Sequence, residues 1–153
     1  MHSYCLISPI AWKCGETYSS NIHPLFRLQK RAIRIVHKVG FYEHTNNLFL
    51  RSCTLKLPDL VVFKTAQMMF KVRHKLLPAN ILNMFSDREG GYELRWELNF
   101  KQGSVQTTKK SMCISICGVK IWNSLTEEIK HSKNISQFKK ILKLNILAKY
   151  NIS

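Results

Sequence analysis

Acidic residues are scarce in this sequence. Nine Asp and Glu stand against 24 Lys and Arg in 153 residues, and only two of the nine, Asp59 and Asp87, are aspartates. Metal-dependent phosphoryl transfer needs two or three carboxylates converging on the ions, because the metals must be held while they bridge anionic oxygens. Here Asp59 opens a helical pattern, Asp87 falls in a loop, and the adjacent pair Glu127-Glu128 reads as first-turn acids that complement a helix dipole. Long apolar runs are missing as well. Lys or Arg interrupts every long hydrophobic stretch, and none approaches the roughly 20 residues needed to span a bilayer, which excludes a transmembrane helix. Neither GxxxxGK[ST] nor GxGxxG occurs, so a mononucleotide site would lack its usual phosphate cradle. The six histidines are scattered, with no HExxH. Cys113 and Cys117 share a helix face but have no nearby histidine to complete a zinc knuckle, so buried structural thiols are expected, with no metal or other cofactor. Catalysis by this chain is not expected.

Cysteine usage points to a compartment. The five cysteines are odd in number, and no basic segment followed by an apolar one opens the chain at Met1. A reducing, intracellular setting, nucleus or cytoplasm, is the expectation, and the sequons at Asn134 and Asn151 then read as chance.

What the chain has in abundance is positive charge. The balance of +15 creates a potential that draws polyanions and weakens with salt. The clearest periodic segment covers 22–39, where Leu25, Phe26, Leu28, Ala32, Ile33, Ile35, Val36 and Val39 fall on one broad apolar face at helical spacing, with Pro24 near the start and Gly40 in the place of a C-cap. On the opposite side Arg27, Lys30, Arg31, Arg34 and Lys38 fill an arc of roughly 100°. A basic helix face is often merely solvated, but it then carries interleaved acids for i,i+4 pairing. Here no acid falls between Glu16 and Glu43. Contact with RNA or DNA phosphates is therefore the leading expectation for these five cations, with Lys64, Lys71 and Lys75 as a sparser set on a later helix.

The remaining pattern predicts a short helix over 46–52 with Thr45 as N-cap, a helix over 59–76 starting at Pro58-Asp59 and ended by Pro78, and one turn over 80–85. Residues 87–91, with paired glycines, read as a loop. Tyr92, Leu94, Trp96, Leu98 and Phe100 then alternate with polar residues as in a half-buried strand, and Gly103 offers a turn toward Val105, which makes a small β-hairpin. The stretch 112–125 fits strand or helix, and a helix over 114–122 is preferred. Asn134 and Gln137 form a capping box for a last helix reaching Tyr150. Trp96, Phe100 and Trp122 could stack on bases, but their spacing favours core positions. The fold expected is mainly α, an irregular helical domain with a small β-hairpin. It comprises an irregular segment 1–20, a basic helical part 21–86, and a hairpin plus C-terminal helices over 87–153 in the same domain.

An ordered set of segments carries a resemblance. Leu28-Gln-Lys-Arg-Ala-Ile-Arg-Ile35, His44-Thr-Asn through Leu48-Phe-Leu50, Phe63-Lys-Thr-Ala-Gln67, and Gly118-Val-Lys-Ile-Trp-Asn123 with the Phe138-Lys-Lys140 helix resemble the C-terminal region of LINE-type, non-LTR retrotransposon reverse transcriptases of the jockey-like kind. The likeness runs over about 12–150, and the sequence departs from the family's Trp-Gly at Trp12-Lys-Cys-Gly15. The resemblance implies a thumb-like, helical, post-palm part that helps hold template RNA and target DNA. The family's palm aspartates and its endonuclease have no counterpart here, so the implied piece is non-catalytic. A second implied role is packing of its apolar surfaces on the polymerase palm, without activity alone.

Overall fold

The computed structural model describes residues 19–87, 98–104, 107 and 113–151. Seven α-helices lie among them: α1 Ser19–Val36, α2 Thr45–Arg51, α3 Leu57–Arg73, α4 Ala79–Leu82, α5 Ile114–Asn123, α6 Glu127–Lys130 and α7 Ile135–Ala148, followed by a 3₁₀ turn at Lys149–Asn151. The expected segment 1–20 falls, except for its last two residues, outside the described residues. No helix is long and apolar enough to cross a membrane among the described residues.

Helix α3 is the centre. It packs on α5, α7 and α1, and its Ala66, Met69, Phe70 and Val72 are buried. Gly118 makes the α3–α5 crossing close: a Cβ there would stand 2.8 Å from the Met69 sulfur and 3.3 Å from its Cγ. Around this crossing Trp122 stacks on Phe138 at 6.0 Å, Phe138 meets Phe70 at 4.7 Å, and Phe100 lies 6.1 Å from Trp122. Phe100 and Trp122 are thus core residues, as their spacing suggested. Trp96 lies outside the described residues. One buried cluster runs from Ile33 to Tyr150.

Three helix ends, those of α1, α2 and α3, share one geometry that the sequence hides. At Lys38, Cys53 and Lys75 the backbone takes positive φ of 52°, 47° and 55°. In each case the next residue's N–H reaches the carbonyl five residues back: Val39 to Arg34, Thr54 to Phe49, Leu76 to Lys71. These are Schellman ends built without glycine. They stop α1 and α3 three residues before the expected 39 and 76, and Gly40 plays no cap role. Helix α1 also begins earlier than 22, so Pro24 lies inside it. Thr45 is the buried first residue of α2, and His44 takes the N-cap position. The expected α5 and the capping box of α7 are present: Asn134 Oδ1 accepts the Gln137 N–H at 2.8 Å, and Gln137 Oε1 accepts the Lys133 N–H at 3.3 Å.

The β-hairpin is not supported. Among the described residues there is no strand, only an isolated antiparallel bridge between Asp87 and Phe100, and residues 92–97 of the expected first strand, with Val105, lie outside them. The Lys101 N–H pairs with the Ser86 carbonyl at 2.8 Å beside that bridge, and at Leu98 and Phe100 side chains of α5 serve the backbone instead. Asn123 accepts the Phe100 N–H at 3.1 Å and donates to the Phe100 carbonyl at 2.9 Å. Trp122 Nε1 donates to the Leu98 carbonyl at 2.8 Å, and the buried Lys130 ammonium donates to Asn99 Oδ1 at 2.8 Å. Buried backbone polar groups must find partners, and here α5 supplies them. Gln29 repeats the device on α1, donating to the Leu55 carbonyl at 2.9 Å and accepting the Leu57 N–H at 2.8 Å.

Candidate nucleic-acid interface

Helix α1 has three faces rather than two. Phe26, Gln29 and Ile33, spaced three and four apart, turn toward α2 and α3, with Ile33 buried. Arg27 and Arg31 are exposed, while Lys30 and Arg34 are half-buried beside them. The third face holds Leu25, Leu28, Ile35 and Val36, all more than half exposed. The single broad apolar face expected from periodicity is therefore split: only its edge nearest α3 enters the core. Gln29 decides which edge, because its two hydrogen bonds to the 55–57 segment fix the helix's rotation.

The cations keep their common stripe over Arg27, Lys30, Arg31 and Arg34. The Lys30 ammonium lies 4.5 Å from the Phe26 ring centroid, its stem covering apolar surface while its head stays outside. Arg34 donates through Nε to the Glu43 carbonyl at 3.0 Å, and its guanidinium carbon lies 5.8 Å from the Phe41 ring centroid. One of its five donors is used there. Lys38 is exposed but leaves the helical register, since it occupies the positive-φ position after Val36. Lys64 and Lys71 are exposed on one side of α3, and Lys75 is likewise exposed past the helix end at positive φ. Among the described residues none of these eight cations forms an ion pair; the two ion pairs are Arg73–Asp87 and Lys130–Glu127.

Two sets of cations escaped sequence reasoning. Lys56 precedes α3, outside any helical period, yet stands close enough to Lys30 for the two charges to oppose each other; burial lowers its pKa first, Asp59 raises it and Lys30 lowers it again. Lys139, Lys140 and Lys143 project from the outer arc of α7, the first two exposed. The available signal was the absence of any acid after Glu128.

The thiols divide: Cys117 is buried as expected, but Cys113 is exposed at the N-cap of α5, where the helix start turns it outward. Cys5 and Cys14 lie outside the described residues. No group of three or more His, Cys, Asp or Glu converges among the described residues. His37 Nε2 and Ser52 Oγ are 2.6 Å apart, but Ser52 donates to the Leu48 carbonyl, so the histidine is the donor and the hydroxyl is not primed as a nucleophile. Comparison of the chain with family models, curated proteins and solved structures returns no match.

Proposed function

We propose that this chain binds the sugar-phosphate backbone of RNA or DNA without catalysing a reaction on it. The observation that carries the proposal is the α1 stripe of Arg27, Lys30, Arg31 and Arg34, with Lys38 at its end, none of them ion-paired among the described residues. Unneutralised cations at helical spacing gain most by releasing the counterions of a polyanion. Lys64, Lys71 and Lys75 form the secondary contacts. The likeness to the post-palm, thumb-like region of LINE-type reverse transcriptases agrees with a non-catalytic grip on template RNA or target DNA, in an intracellular compartment. Arg27 and Arg31 make the cleanest test, because among the described residues both are exposed and no hydrogen bond ties either to the fold. Replacing both by Gln is expected to weaken binding to oligonucleotides of any sequence and to reduce the slope of log affinity against log salt by about 0.7 to 0.9 per lost contact. Unchanged slope in an anisotropy titration rejects the stripe as the binding face.

A second reading has its own observation. Leu25, Leu28, Ile35 and Val36, each more than half exposed, present one aliphatic face to solvent, and contiguous exposed apolar surface marks interaction sites. Packing of this face on another protein surface, the polymerase palm in the resemblance, would leave the cations free at its edge. Sedimentation separates the two: concentration-dependent self-association that ignores oligonucleotide favours the packing role.

A further inference from the structure

We infer that the turn after α1 is a base-stacking platform, so that the nucleic acid this face takes is single-stranded. The inference rests on the proposed phosphate grip and adds what the stripe alone does not specify. Glu43 N–H bonds to the Gly40 carbonyl at 3.1 Å, which closes a tight turn with Phe41 and Tyr42 at its two central positions. Those positions normally carry Gly, Pro, Asn, Asp or Ser, for backbone reasons that neither aromatic residue serves. Nor do the rings serve the core: Tyr42 is 96% exposed and Phe41 66%. They meet edge to face at 5.4 Å, which leaves the face of at least one ring open.

The same turn is joined to the cationic stripe. Arg34 holds it through the Glu43 carbonyl and lies against Phe41, so the last stripe cation within the helix and the first exposed ring are neighbours. Lys38 stands exposed between the helix end and the turn. Successive cations followed by open aromatic faces match a strand whose phosphates run along α1 and whose bases turn onto the rings. Every base has a π-face, so stacking of this kind tolerates sequence but requires unpaired bases. A duplex can use the cations only.

The test uses the whole chain with a fluorescein-labelled oligothymidylate of about 20 nucleotides and a duplex of equal length, long enough for site sizes of this kind. Wild type is expected to prefer the single strand. Phe41→Ala/Tyr42→Ala is expected to lose about tenfold or more on the single strand, bringing the ratio of the two affinities toward one, while Tyr42→Phe keeps the preference. An unaltered melting midpoint shows that the fold survives, as the exposure of both rings requires. An equal loss on both polymers, or no loss on the single strand, overturns stacking while the phosphate grip stands. Loss of binding to anionic phospholipid vesicles with oligonucleotide affinity intact overturns it too, assigning the rings to a lipid surface. Absence of salt-dependent binding by wild type to either polymer overturns the grip itself.

Discussion

Tyr150 ties the end of the chain to the start of α3. Its hydroxyl donates to Asp59 and accepts the Lys56 N–H at 3.0 Å, and the Lys56 ammonium lies 4.0 Å from its ring centroid. Tyr150→Phe leaves a backbone donor and a half-buried carboxylate without that partner, and a loss of about 1–3 kcal/mol is expected in urea unfolding. Burial raises the Asp59 carboxyl above its ordinary range despite Tyr150, Lys56 and Lys149, and burial with the Asp59 charge raises the Tyr150 phenol far above its own. A carboxyl whose folded pKa is raised contributes stability that is present below the unfolded value and lost as pH climbs through the folded one. Wild type should therefore gain on Asp59→Asn, in melting midpoint, as pH falls from neutrality toward about 4; a constant gap between the two would refute the assignment. Lys38 offers a different dissection. Its positive φ is strained for any residue with a Cβ, so Lys38→Gly is expected to raise stability by about 1 kcal/mol while weakening oligonucleotide binding. A variant that melts later and binds less cannot owe its weaker binding to unfolding.

At the scale of elements, α1 is decisive. Its outer aliphatic face and its inner edge make opposite predictions: Ile33→Ala should cost about 2 kcal/mol or more, whereas Ile35→Gln/Val36→Gln should stay within about 0.5 kcal/mol per site. Comparable losses at both faces would mean that the helix sits in another rotation. Helix existence was legible because 3.6-residue spacing reports amphipathicity directly, and α1, α3, α5 and α7 all fall within a few residues of their patterns. Rotation was not legible, since a tertiary bond pair at Gln29 chooses which part of a wide apolar face is buried. Helix ends were misread for a similar reason. Glycine advertises a left-handed cap, and here Lys38, Cys53 and Lys75 perform that task. The alternation leading into Leu98 and Phe100 reads as a strand by its period of two, but at Leu98 and Phe100 side chains of Trp122 and Asn123 partner the backbone from a helix, an arrangement no local pattern encodes.

For the whole molecule the central quantity is the excess of positive charge, with the α1 cations free of ion pairs among the described residues. The sequence disclosed the excess and the α1 stripe, because both depend on composition and period. It did not disclose that Lys56 adjoins the stripe, or that an aromatic turn lies against its end, because both are products of folding. It could not separate cations on α1 from those on α7 either, since their relation is set by how both helices dress α3. The most direct test is the salt dependence of binding by the unmodified chain to a mixed-sequence single strand. With four to five phosphates engaged by the α1 stripe, log affinity should fall against log salt with a slope near about −3. A slope near zero, or no binding at low salt, would contradict the account.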